Sequence, residues 1–71
     1  MKRRFVLCVN NGGYPESLEK RKFYEVVEDT QSASEGMIRV IDESGEDYLY
    51  EETLFVEASL PPALEDALEA A

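Results

Sequence analysis

Histidine and tryptophan are absent from this chain of 71 residues, and cysteine occurs once, at Cys8. Without histidine the chain lacks the commonest general base and the commonest metal ligand. A single cysteine excludes an intramolecular disulfide and a cysteine-based zinc site. Long apolar runs are missing as well. Phe5-Val6-Leu7-Cys8-Val9 follows the basic Lys2-Arg3-Arg4, but it falls short of the about 7 to 15 residues of a secretory signal's apolar region. It is further still from the roughly 20 that span a bilayer. The expectation is a reduced, cytoplasmic protein with no membrane contact.

Basic side chains are missing from one half of the chain. Residues 42–71 hold ten acidic groups and no basic one, while residues 1–41 carry a net +1, which together give −9. Nucleic acid is therefore not an expected partner, because phosphate binding needs a basic face that releases counterions. The acidity itself serves solubility. A chain this short forms one domain. It buries only roughly 60% of its unfolded surface, which leaves a marginal core and no deep cleft. With no histidine, no cleft and no nucleophile–base pair, the chain is expected to be no enzyme and to need no cofactor or metal.

What is present is a series of short β-forming segments. Arg4 to Asn10 alternates, with Phe5, Leu7 and Val9 on one face and Val6 and Cys8 on the other, so it reads as a strand buried on more than one side. Asn10-Asn11-Gly12-Gly13 is a dense turn signal, and a loop continues through Tyr14-Pro15-Glu16 to Glu19-Lys20-Arg21-Lys22. Phe23 to Glu28 is a second strand, with Tyr24 and Val26 facing one way and Phe23 and Val27 the other. Asp29 to Gly36 is polar and aperiodic, hence a loop. Met37 to Ile41 is a third strand. Asp42 to Glu46 is a tight turn with Gly45 as its left-handed residue, and Asp47 to Tyr50 is a fourth strand. Glu51 to Leu54 suits one helical turn before a fifth strand at Phe55-Val56-Glu57. After Pro61-Pro62, Ala63 to Ala71 has good helix propensity. Leu60, Leu64 and Leu68 stripe one face of it at a spacing of four. The expected division is residues 1–58 as the β unit and 59–71 as an acidic tail with a short helix.

This order of strands, with a long first loop, a tight third turn and a helical turn before the last strand, resembles the Src-homology-3 (SH3) family. The stretches that carry the likeness are Leu18-Glu19-Lys20-Arg21-Lys22-Phe23-Tyr24-Glu25-Val26-Val27, Gly36-Met37-Ile38-Arg39-Val40-Ile41-Asp42-Glu43-Ser44-Gly45 and Phe55-Val56. The chain also looks like small bacterial proteins that carry a stand-alone SH3-like barrel. The resemblance implies a mainly β fold, a five-stranded SH3-like barrel with a short C-terminal helix. It departs from the peptide-binding members at their ligand-binding positions. Cys8-Val9-Asn10-Asn11 stands where they have an aromatic motif, Met37 where they have a signature Trp, and the Tyr50-Glu51 region lacks their Pro. Recognition of proline-rich peptides in an aromatic groove is thus not expected.

Three constellations remain. Asp42, Glu43, Glu46 and Asp47 bracket the tight turn, either as solvated charges or as a weak cation site, though the Asp-x-Asp-x-Asp-Gly spacing of a calcium loop is absent. Tyr14, Met37, Tyr48 and Tyr50 are candidates for a partner-binding surface, Tyr14 and Met37 being placed near one another by the resemblance. Alternatively, Tyr48 and Tyr50 cover the outer face with their hydroxyls in water. Leu60, Leu64 and Leu68 pack the tail on its own barrel or offer it to another protein's groove. Cys8 is expected to be a small buried hydrophobe. Two functions follow as expectations. One is a protein–protein interaction module, monomeric or weakly self-associating, whose acidic neighbours favour a basic partner. The other is a structural subunit or homo-oligomer whose C-terminal helix completes an assembly.

Overall fold

Alternating apolar residues produce strands because successive side chains of an extended chain point to opposite faces. The computed structural model describes residues 4–70, with the backbone alone for 69 and 70. Lys2, Arg3 and the end of the tail at Ala71 lie outside the described residues. The chain is mainly β: five antiparallel strands and a short C-terminal helix. The strands are β1 (Phe5–Cys8), β2 (Phe23–Val27), β3 (Met37–Ile41), β4 (Asp47–Glu51) and β5 (Phe55–Ala58). A 3₁₀ turn over Glu52–Leu54 joins β4 to β5, and a final helix spans Pro62–Ala70.

The sheet runs β4-β3-β2-β1-β5. Here β2 changes partner along its length: Phe23, Tyr24 and Glu25 pair with β1, whereas Val26 and Val27 pair with β3. The last strand returns to lie beside the first, with Cys8 opposite Phe55 and Phe5 opposite Ala58.

One face of this sheet makes the core. Val6 and Cys8 from β1, Tyr24 and Val26 from β2, and Ile38 and Val40 from β3 meet Tyr50, Leu54, Phe55 and Leu18 of the first loop. Leu18 and Val40 are fully buried, and each buried aliphatic side chain of this kind contributes about 1.5–3 kcal/mol. Cys8 is likewise fully buried. Its Sγ lies 3.4 Å from the Asn10 carbonyl, and burial pushes the thiol pKa up, as a small buried hydrophobe requires. Phe5, on the other face of β1, is also buried, at 4% exposure, so the strand is covered on both sides. Val9 instead lies beyond the strand end and is exposed.

One sequence expectation is corrected. The polar segment after β2 is not all loop, because Thr30–Ala33 forms a single helical turn, α1. Asp29 caps it, accepting from the Ser32 N–H, and the same carboxylate receives Arg39 Nε from β3 at 3.1 Å. Cap and cross-strand cation together hold a turn that its own composition would not. The final helix is thus the second, α2.

Candidate functional site

The candidate surface is built by the hairpin β3–β4 and the long β1–β2 loop. Strand register decides which side chains share a face: Val40 is opposite Tyr48 and Ile38 opposite Tyr50. Directly opposed residues point the same way, so Tyr48 and Tyr50 lie on the core-side face of the hairpin. Met37, Arg39, Ile41, Asp47, Leu49 and Glu51 lie on the other.

Tyr50 is buried at 6% exposure, and its hydroxyl donates to Asp42 Oδ2 at 2.6 Å. This corrects the reading in which both β4 tyrosines hold their hydroxyls in water. The cause is the β1–β2 loop, whose Tyr14 sets its ring edge-on against Tyr50, centroids 5.2 Å apart. Phe55 packs edge-on from another side at 6.3 Å. Tyr14 and Tyr48 stay 44% and 49% exposed.

The loop owes its shape to local hydrogen bonds. The Asn10 and Asn11 side chains accept from the N–H groups of Gly12 and Gly13. The Tyr14 carbonyl accepts from Ser17 and Leu18 N–H. Gly12 sits at φ +58°, and a Cβ there would stand 2.9 Å from both terminal carbons of Leu54. Only glycine satisfies both conditions.

Two consecutive carboxylates tie this loop to the tight turn. Asp42 is 6% exposed and accepts from the Ser44 N–H at 2.8 Å, from the Ser44 hydroxyl and from Tyr50. Burial pushes its pKa up, but the Ser44 and Tyr50 hydrogen bonds outweigh burial and hold the carboxyl below its ordinary value. Tyr50 is pushed up to about 12, chiefly by burial and then by the Asp42 bond. Glu43 accepts the Tyr24 hydroxyl at 2.6 Å and Lys22 Nζ at 2.7 Å. Those two bonds, Lys22 first, hold it below the usual carboxylate range. Tyr24 also accepts from Glu19 N–H, and burial with the Glu43 bond raises its pKa far above the ordinary value. The Glu43 N–H donates to the Ser17 carbonyl.

Asp42 is therefore a buried tyrosine acceptor rather than a solvated turn charge, while Glu43, Glu46 and Asp47 stay exposed, Glu43 bonding Tyr24 and Lys22 and Asp47 engaged by Arg39 at 3.3 Å. Sequence reasoning missed this role. The available signal was Asp42-x-Ser44-Gly45, the Asx-turn arrangement in which an Asp side chain accepts from the residue two on.

The result is a depression of about 340 Å³ lined by Tyr14, Ser17, Asp42, Ser44, Tyr48 and Tyr50, with Leu49 at its rim. Three of the four candidate partner-binding residues thus come together. Met37 does not join them. It pairs with Glu51 at the far end of the hairpin, about 10 Å along the strand from Val40 opposite Tyr48. It lines a separate depression with Ala33, Arg39 and Glu52. Of the tail leucines, Leu60 and Leu68 are half-buried, whereas Leu64 is 40% exposed. Leu68 lines a shallow depression together with Phe5, Phe23 and Ile41 of the outer sheet face. No helix among the described residues is long and apolar enough to cross a membrane. No protein-family model, curated protein or solved structure matches the chain.

Proposed function

We propose that the chain is a cytoplasmic, non-enzymatic protein-interaction module built on an SH3-like barrel, and that it engages a basic partner through Tyr14, Tyr48 and the Leu49 rim over the buried Tyr50. The barrel assignment is supported by the strand order β4-β3-β2-β1-β5, by the change of partner along β2 and by the 3₁₀ turn before β5.

The observation that carries the function is a half-exposed aromatic pair on a fixed floor. Amphipathic rings held at low entropy cost are what protein contacts use as anchors. The floor is fixed because Tyr50 and Asp42 satisfy one another and the loop is bonded to the turn through Ser17 and Glu43. In sequence Tyr48 stands among Glu46, Asp47 and Glu51, and residues 42–71 hold no basic side chain, which favours a cationic partner. Catalysis is disfavoured by the same bonds: Asp42 and Glu43 are both committed to tyrosines.

The test is affinity capture from the native host with the wild-type chain and with Tyr14→Ala, Tyr48→Ala and Met37→Ala, each first checked for wild-type circular dichroism. A partner held by the wild type and by Met37→Ala but lost from the two tyrosine variants is the expected result. An identical partner set for all four chains would overturn the proposal.

A further inference from the structure

The strand at the end of the sheet has one edge in use. Hydrogen-bonding direction alternates along an antiparallel pair, and the turn fixes its phase. The Asp42 N–H donates to the Glu46 carbonyl at one end of the hairpin and the Glu52 N–H to the Gly36 carbonyl at the other. With the register Val40–Tyr48 and Ile38–Tyr50, the backbone groups of Tyr48 and Tyr50 point to β3. Those of Asp47, Leu49 and Glu51 therefore point away from it. Among the described residues the N–H and C=O of Asp47 and Leu49 and the N–H of Glu51 have no hydrogen-bond partner, the Glu51 carbonyl being taken by the 3₁₀ turn that follows, and β4 is the last strand on its side of the sheet. An unpaired row of this kind is a template for one more strand.

The side chains select the occupant. Asp47, Leu49 and Glu51 share one face at a spacing of two, an acidic–apolar–acidic series in which Asp47 also meets Arg39 at 3.3 Å and Glu51 faces Met37, and all three are exposed. A second copy of this chain, paired antiparallel about Leu49, would set Asp47 against Glu51 at both ends of the contact. Opposed like charges are destabilising, and each copy carries −9. We infer that the β4 edge accepts an extended segment of a partner protein carrying a cation–x–apolar–x–cation series, which adds antiparallel to β4 and pairs with Asp47, Leu49 and Glu51. Its basic side chains face the two carboxylates and its central apolar side chain covers Leu49. Its intervening residues turn toward the Tyr48 side, so the added strand and the tyrosine depression form one continuous contact. This inference rests on the interaction-module reading and specifies the form of the partner.

The probe is a capped heptapeptide, Thr-Lys-Thr-Ile-Thr-Lys-Thr, titrated into the ¹⁵N-labelled full chain. A second peptide differs only in an N-methyl group on its Ile, which removes the donor facing the Leu49 carbonyl while preserving charge and side chains. Expected are amide shifts centred on Asp47, Leu49 and Glu51, slowed hydrogen exchange at those amides, and binding at least about tenfold weaker for the methylated peptide. Equal binding of the two peptides, or shifts at Tyr14 and Tyr48 without slowed exchange along β4, would overturn strand addition. Either result leaves the basic-partner reading to its capture experiment. No shift at millimolar peptide would also overturn the inference, whereas the wider reading falls only if the tyrosine variants capture the same partners as the wild type.

Discussion

Replacing Tyr50 with Phe isolates one hydroxyl at the centre of the site. The ring stays, so its contacts with Tyr14 and Phe55 are kept, and the loss is the 2.6 Å bond to Asp42. A hydrogen bond to a charged group contributes about 1.5–3 kcal/mol, and Ser44 still serves the other carboxylate oxygen. The expected cost at pH 7 is therefore about 2 kcal/mol. In a domain of this size that lowers Tm by about 8–16 °C.

The pH dependence is the sharper signature. Tyr50 is pushed from 10.0 to about 12 in the folded chain, so the folded state holds this proton more tightly than the unfolded one. The corresponding stability is fully present below pH 10 and is lost between pH 10 and pH 12. The slope is about 1.4 kcal/mol per pH unit from this one group. Tyr50→Phe removes that contribution but leaves the one from Tyr24, which is raised as well, so its alkaline decline is shallower but not flat. At the acid end the sign reverses. Asp42 is held low in the folded state, so it stabilises above its ordinary pKa and the gain is lost as pH falls through the folded value. Without the Tyr50 bond that gain shrinks. Urea denaturation followed by far-ultraviolet circular dichroism from pH 3 to pH 12 measures all of this. A variant with the wild-type midpoint at pH 7 and the wild-type alkaline slope would refute the role given to Asp42 and Tyr50.

Gly12→Ala is expected to cost more than Gly13→Ala in thermal unfolding. Both positions are left-handed, but only the Gly12 Cβ meets Leu54, so about 1 kcal/mol at Gly13 becomes about 2–3 at Gly12; equal losses would show that Leu54 yields freely. Glu57→Gln breaks the two-pronged pair with Arg4. Because both partners are largely exposed, less than about 1 kcal/mol should be lost, and less again in 0.5 M NaCl (an ionic strength with a Debye length of roughly 4 Å). Cys8, fully buried with its thiol pKa raised by burial, should react with a disulfide reagent only as fast as the chain opens. Modification at the rate of a free thiol in native buffer would contradict that placement.

The strands were legible because period-two alternation is written directly in the residues. Tyr24/Val26 and Phe23/Val27 separate into two faces by alternation alone, although both faces are apolar and only the fold decides that Tyr24 and Val26 are the buried pair. The turn at Gly45 and the helical turn before Phe55 were legible for the same local reason. What escaped depends on contacts distant in sequence. The alternation puts Tyr48 and Tyr50 on one face, but only the β1–β2 loop, arriving through Tyr14 and Leu18, decides that one is buried and the other exposed. Met37 has the composition of a surface anchor, yet register places it on the opposite face of the hairpin from Tyr50, against which Tyr14 packs. The α1 turn needed Arg39, six residues beyond Ala33, to hold its capping Asp29.

The strand order also has a consequence in time. Phe5–Cys8 is the first of the five strands to be made, but one of its two neighbours is Phe55–Ala58, so its sheet partner on that side does not exist until the 46 residues between Cys8 and Phe55 have been made. The β3–β4 hairpin, closed by a five-residue turn segment from Asp42 to Glu46, can form long before that. A nascent chain thus carries an apolar first strand with a waiting edge, and pairings between segments so far apart are the slow, aggregation-exposed step of β folding. Synthesis that stalls before Phe55 would leave that edge open. The fold is sealed by its last strand rather than its first.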